Sequence, residues 1–439
     1  MTTAAENEIL TRVGPGTPMG ELMRQYWMPA LKSSELVRDG EPVRFRLLCE
    51  DLIAFRDTSG RVGVMDHRCP HRCASLFFGR NEEGGLRCVY HGWKFDVDGN
   101  CLDMANVPPH QDFKHKVHAK TYKSAERNGI VYIYMGKADE APPLPPVEAT
   151  LVPEDQANIM FVHRDCNWLQ GVEGELDTSH IGFLHLGTVS KEDYGTVQNS
   201  GDRFAVMNRT PEYASTETDF GFMYAAHRPA DDGNTYWRFG QFLFPMWTMP
   251  PIGNISKNIL ARAYVPIDDN NHMIVIIEQL GFNAANSDAE AVRRQAPGGE
   301  LKYRPNTTEW TGRWKLQENW KNDYLIDRTM QRDVNYTGLM GFVLQDQMIT
   351  ESMGAISDRT WEHLAPSDIA ITKTRRVLVK AATDYAKDGT LPKSARDPRQ
   401  FEGVRGGWFV ESTGVDWQDG YRKQIANAPL AFDDVQAAE

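Results

Sequence analysis

The sequence predicts an α+β chain in two parts, a small all-β domain followed by a larger domain in which an antiparallel sheet packs on helices. Between Pro42 and Met135, short apolar runs are cut by turn signals. A stretch dense in proline and charge follows, "GKADEAPPLPPVEATLVPED". Beyond it come helical periodicity, then a block of strands, then helices again.

Residues 1–41 read as a helical N-terminal segment packing on the second domain, with "MGELMRQYWMPA" as a short helix. In the next segment, 42–136, the runs "PVRFRLLCEDLIAFRDTSGRVGVM", "WKFDVDGNC" and "GIVYIYMG" are β-rich, and "DTSGR" and "DVDGN" are hairpin turns between them. Residues 137–155 suit an exposed, extended linker. The remainder, 156–439, opens with a helical stretch, "NWLQGVEGELDTSHIGFLH", and continues with the strands "DFGFMYAAHRP", "TYWRFGQFLFPMW", "ILARAYVPI" and "HMIVIIEQLGF". A polar loop and C-terminal helices, including "ITKTRRVLVKAATDYAKDG", complete it. No internal repeat or low-complexity tract is present.

A chain of 439 residues, 41% hydrophobic and 25% charged, is long enough for separately cored domains. Its net charge of -12 argues against nucleic acid or an anionic membrane surface as the main partner, because both reward clustered Lys and Arg. The start has no basic or apolar leader, and no run approaches the roughly 20 apolar residues of a membrane helix. A cytoplasmic location is expected. All six cysteines, Cys49, Cys69, Cys73, Cys88, Cys101 and Cys166, lie in the first two-fifths of the chain. In a reducing compartment such bunching points to metal before disulfides.

Within "CPHRCASLFFGRNEEGGLRCVYHGW", Cys69 with His71 and Cys88 with His91 form two short mixed pairs, each on a loop flanked by strands. Two thiolates on one iron and two imidazoles on the other is the Rieske [2Fe-2S] arrangement. A structural zinc site is the competing reading, but zinc spacings usually pair Cys with Cys or His with His. His67 and Cys73 fall out of register and read as supporting or core residues; Cys49, Cys101 and Cys166 read as buried small hydrophobes.

A second candidate lies in "EGELDTSHIGFLH". On an ideal helix Asp177 and His180 share a face, as do Glu173 and Asp177, whereas His185 points away. For both histidines to meet one ion the helix must break or bulge, most cheaply near Gly182. Two imidazoles and a carboxylate make the facial triad of non-haem Fe(II) oxygenases, and "GFVLQDQMITESMG" offers Asp346 and Glu351 for the carboxylate.

With these motifs the chain resembles the large subunits of Rieske non-haem iron aromatic-ring-hydroxylating oxygenases, of the phthalate dioxygenase type. The resemblance runs through "NEILTRVGPGTPMGELMRQYW", "FFGRNEEGGLRCVYHGWKFDVDGNC", "NWLQGVEGELDTSHIGFLH", "NDYLIDR" and "QDQMITESMGAISDRTWEHLAPSD". It implies a Rieske domain joined to a helix-grip catalytic domain. It also implies that Cys69, His71, Cys88 and His91 bind the cluster and that His180, His185 and Asp346 bind a mononuclear Fe(II), with Asp346 preferred to Glu351 and Asp358. Asp177 would be the catalytic bridge between a cluster histidine and an iron-ligand histidine, acting across the interface of a head-to-tail trimer or stacked hexamer. Electrons would come from a separate NAD(P)H-dependent reductase carrying FMN and a plant-type [2Fe-2S] centre. The absence of a Gly-rich dinucleotide fingerprint fits an external reductase.

The implied reaction is cis-dihydroxylation of an aromatic carboxylate such as phthalate or an isomer, using O2. Monohydroxylation, O-demethylation and a pure electron-carrier role are the alternatives. Period-two alternation in "TYWRFGQFLFPMW" puts Tyr236, Arg238, Gly240, Phe242 and Phe244 on one face. A core-facing arginine there requires an anion or a buried partner, so Arg238 is a candidate for a substrate carboxylate, with a salt bridge inside the protein as the alternative. Arg209 is a second candidate.

Overall fold

The computed structural model describes residues 2–188, 202–280 and 301–429. Three antiparallel sheets organise them. The first runs Trp27–Lys32, Ile130–Tyr134, Thr121–Arg127, Val62–Asp66, Glu50–Arg56, Val43–Leu47. A smaller sheet of Arg80–Glu82, Gly85–Arg87, Trp93–Phe95 and Cys101–Met104 stands beside it. Between these two sheets lies a separate core built from Ile53, Phe55, Met65, Leu76, Leu86 and Phe95.

The segment "MGELMRQYWMPA" departs from expectation. Its helix covers only Pro18–Met23, and Trp27–Lys32 pairs instead with Ile130–Tyr134. Pro29 explains the difference: inside a helix it would remove a hydrogen bond and clash with the preceding turn, whereas here it sits at a register shift between Pro29 and Leu31. The first β sheet therefore begins at Trp27, not at Pro42. The expected linker also differs, because Val147 to Thr150 are buried and both carboxylate oxygens of Glu148 accept from Arg405, at 2.5 and 2.6 Å. Proline density made this stretch look exposed, and a guanidinium more than 250 residues away buries it.

The third sheet orders Ala157–Arg164, Asn271–Gln279, Leu260–Asp268, Trp247–Met249, Asn234–Leu243, Gly221–Pro229 and Glu212–Thr218, with Gly407–Ser412 pairing onto Asn234–Leu243. Helix Ile369–Asp388 packs on it and ends at the left-handed Gly389 (φ 79°), where a residue without a Cβ is least strained. Helix Trp168–Leu176 packs on strand Leu260–Asp268, and Gln170 ties it to helix Phe342–Ser352 by donating to Thr350 O at 2.9 Å. One side of Trp168–Leu176 carries Glu173, buried between Arg359 (2.8 Å) and Arg375 (2.6 Å).

The two parts share one apolar core running from Leu10 to Val404. Ion pairs Arg46–Asp268 (3.0 Å) and Arg313–Glu35 (2.6 Å) cross between them, and Cys49 N donates to Ile267 O at 3.0 Å. No helix among the described residues is long and apolar enough to cross a membrane.

Candidate metal centres

The two cysteine loops are built alike. Cys69 N donates to Ala74 O and Cys88 N to Trp93 O, both at 2.8 Å; Cys73 N and Gly92 N return to Cys69 O and Cys88 O, both at 2.9 Å. Each loop closes through a left-handed residue, Cys73 (φ 60°) in one and Gly92 (φ 76°) in the other. Cys73 is thus the exposed counterpart of a glycine and not a core residue. Cys69 and Cys88 are buried and unbridged. The imidazoles of His71 and His91 lie 4.4 Å apart, centroid to centroid, with His71 stacked on Trp93 at 4.3 Å. His67 supports the lobe from outside, through Ser75 Oγ at 3.2 Å and the edge of Trp310.

The second site starts from a helix that stops itself. Asp177 is the C-cap of Trp168–Leu176 and has extended backbone (ψ 94°). Its Oδ1 accepts from Ser179 N at 2.8 Å and Ser179 Oγ at 2.6 Å, a local turn that competes with the helix. The break therefore falls at Asp177, ahead of the Gly182 expected from the sequence, and a 3-10 turn His180–Gly182 follows. His180 and His185 now converge: their Nε2 atoms are 3.1 Å apart, and Asp346 Oδ1, from helix Phe342–Ser352, lies 3.1 Å from His185 Nε2 and 3.7 Å from His180 Nε2. Asp177 Oδ2 lies 3.8 Å from the outer nitrogen of His180, Nδ1.

Charge at this site favours ligation. Burial and the neighbouring His185 lower the pKa of His180, keeping its ring neutral with a lone pair available. Burial opposes ionisation of Asp346, but the His185 ring beside it, through its charge and its hydrogen bond, outweighs that and holds the carboxyl below its ordinary range. Glu351, the sequence alternative, is engaged elsewhere, accepting from Asp165 N at 2.9 Å and Tyr324 Oη at 2.7 Å. Asp358 caps Thr360 at the surface. Among the described residues, His180, His185 and Asp346 are the acidic, His or Cys group whose ligand atoms could share one ion, all within 4.8 Å of one another.

Arg238 is buried on the face expected, with Tyr236 and Gly240, in register with Ala226 across one strand pair and Trp408 across the other. Arg228, which the sequence reading missed, shares that face one diagonal step away. Its Nε donates to Asn208 O at 2.6 Å, and burial together with the charge of Arg238 pulls its pKa down to about 10. Arg209 lies apart from this sheet face. It rests on the histidine turn, with its guanidinium 5.2 Å from the Phe183 ring and Nη2 donating to Gly187 O at 3.3 Å.

Comparison with known proteins gives the family. The Rieske [2Fe-2S] domain family matches residues 26–122, and the family described as LigXa C-terminal domain like matches 133–402. The chain is 44% identical to the 3-chlorobenzoate-3,4-dioxygenase oxygenase subunit of Comamonas testosteroni over 97% of this chain and 99% of that one. The chain belongs to the Rieske oxygenases. It is also 37% identical to the phthalate 4,5-dioxygenase oxygenase subunit of Pseudomonas putida, over 88% of this chain and 87% of that one. The fold matches dicamba monooxygenase bound to 3,6-dichlorosalicylic acid (TM-score 0.56, 18% identity, 83% of this chain and 99% of that one).

The Rieske loops fit the cluster their family carries. His71 Nδ1 is buried and has no hydrogen-bond partner among the described residues, the state of a nitrogen kept for a metal. Burial, with the second thiol beside it, pushes Cys69 up to about 12, so ionising it requires a nearby cation, as two irons would be. Burial and the charge of His91 lower His71, which keeps it neutral for ligation. Besides Arg228, the sequence reading missed Gln345, whose Oε1 is 2.7 Å from His185 Nδ1. The signal available for Gln345 was its place next to Asp346.

Proposed function

We propose that the chain is the cytoplasmic terminal oxygenase of a multicomponent system that cis-dihydroxylates an aromatic carboxylate, phthalate or a related acid, with O2. The observation that carries this reading is the meeting of His180, His185 and Asp346 at one point in a chain that also has a Rieske domain. A mononuclear Fe(II) held by these three would have open positions for O2 activation, while a cluster on Cys69, His71, Cys88 and His91 supplies electrons singly.

The protein's own groups orient and neutralise. Asp177 faces the outer nitrogen of His180 and favours a proton there, leaving Nε2 as donor to the metal. On assembly the same carboxylate would reach a cluster histidine of a neighbouring copy and link the centres. Large apolar side chains left exposed on this chain, Tyr90 at the cluster tip and Trp361 on the catalytic part, 83% exposed, support a head-to-tail trimer or stacked hexamer. A separate NAD(P)H reductase with FMN and [2Fe-2S] would donate the electrons.

The substrate class rests on charge. Arg238 and Arg228 concentrate positive charge on a buried aromatic face, and the hydroxyls of Tyr213 and Tyr224 on that face feel the charge of Asp177. A carboxylate held at Arg238 would set a ring beside the metal ligands. Two relatives are named for acting on aryl acids, 3-chlorobenzoate and phthalate. A monooxygenase reading follows from a third: the chain is 34% identical to the 5,5'-dehydrodivanillate O-demethylase oxygenase subunit of Sphingobium over 91% of its length.

The test is turnover with NADH, a phthalate-type reductase and a panel of aryl carboxylates, with products followed by mass spectrometry. A gain of two oxygens and two hydrogens on one acid supports the proposal, and loss of that acid's affinity in Arg238→Gln supports the carboxylate clamp. Loss of a methyl group, or gain of a single oxygen, would move the assignment to the monooxygenase reading. Peroxide alone from every acid would overturn the aryl-acid assignment.

A further inference from the structure

The two histidines of the triad are supported unequally. His180 has a carboxylate, Asp177, beside its outer nitrogen. His185 has an amide: its Nδ1 is 2.7 Å from Gln345 Oε1, with both residues buried.

Which amide atom faces the ring is settled by the other end of the side chain. Gln345 Nε2 lies 3.0 Å from Leu339 O, and a backbone carbonyl only accepts, so the amide must turn its NH2 toward Leu339. Leu339 O is itself fixed, receiving Asn335 Nδ2 at 3.0 Å and Thr337 Oγ1 at 3.3 Å. Oε1 therefore faces His185 and can only accept, which places the ring proton on Nδ1. The lone pair is then on Nε2, the atom that meets His180 Nε2 and Asp346 Oδ1.

We infer that Gln345 is a positioning residue that fixes His185 in its metal-binding tautomer, and that its neutrality keeps the second imidazole a weaker donor than one paired with a carboxylate. The inference rests on the reading of His180, His185 and Asp346 as iron ligands. Helix geometry makes the arrangement economical: Asp346 would ligate directly while the adjacent Gln345, about 100° around the helix, holds His185.

Two variants separate the acceptor that faces His185 from the donor that faces Leu339. Gln345→Leu removes both; Gln345→Glu keeps the acceptor and loses the donor. Each is purified with its cluster intact, depleted of the mononuclear iron, and titrated with Fe(II) against a chelator; the midpoint potential of the reloaded iron is then read by EPR. Gln345→Leu should bind Fe(II) about 10–100-fold more weakly. Gln345→Glu should stay within a few-fold of wild type and shift the iron's midpoint potential negative, with the cluster's potential unchanged. Equal weakening in both variants would reduce Gln345 to a clasp on Leu339, and wild-type affinity in Gln345→Leu would remove its role altogether. An unshifted potential in Gln345→Glu would overturn the claim about neutrality. If His185→Ala also binds Fe(II) like wild type, the ligand assignment itself fails; if His185→Ala alone loses iron, only the inference about Gln345 falls.

Discussion

Asp177 uses one carboxylate for two tasks. Oδ1 holds the Ser179 turn and Oδ2 faces His180. Asp177→Asn keeps an acceptor for the turn and removes the charge beside His180. Both metals should remain bound while product formation falls by about 10–100-fold. Metal analysis together with single-turnover product yield checks this, and near-normal yield would rule out the bridging role. Residues of this kind differ in how legible they are. The four candidate cluster residues stand out because each pair is local in sequence. Asp346 and Glu351 are equivalent by spacing, and only resemblance separated them; the structure shows Glu351 committed to Asp165 and Tyr324. Gln345 had only its place beside Asp346 to mark it, because its partner is 160 residues away.

At the scale of elements, the two cysteine loops are one turn used twice. Left-handed backbone at Cys73 costs a non-glycine residue roughly 1–2 kcal/mol, and the twin loop has glycine at that position. Cys73→Gly should leave the visible cluster spectrum unchanged, with stability equal to or above wild type, and a β-branched Cys73→Val should lose cluster during purification. Bleaching in Cys73→Gly would mean that the thiol contributes to the centre. Sequence signals marked the hairpins and the need for a helix break but set that break near Gly182, because Asp177 ends the helix through its own side chain and not through a glycine. The N-terminal strand was hidden for a similar reason: its pairing partner, Ile130–Tyr134, is remote in sequence.

For the whole molecule, the division into an all-β part and an α+β part was legible because each sheet is largely built from runs close in sequence. The joint between them was not, since Arg46–Asp268 and Glu148–Arg405 are visible only once the chain is folded. Acid stability is a property of the whole fold. Burial pulls His272 down to about 3 from 6.5, and its ring hydrogen-bonds Cys166 O at 2.8 Å. Between those values the unfolded chain takes up a proton that the folded chain refuses, so stability present above pH 6.5 is lost as pH falls, by about 1.4 kcal/mol per unit. From pH 6.5 to 5 that is about 2 kcal/mol, measurable as a drop in the denaturation midpoint that His272→Gln should flatten; an unchanged slope would place the acid sensitivity elsewhere.

One chain is expected to hold both a Rieske cluster and a separate iron on His180, His185 and Asp346. Iron and acid-labile sulfide, assayed together in the wild type and in His180→Ala, decide between this arrangement and a single metal centre. The wild type should carry one more iron than sulfide per chain, and His180→Ala equal amounts with the red-brown spectrum intact. Equal iron and sulfide in the wild type, or zinc in place of the extra iron, would contradict it.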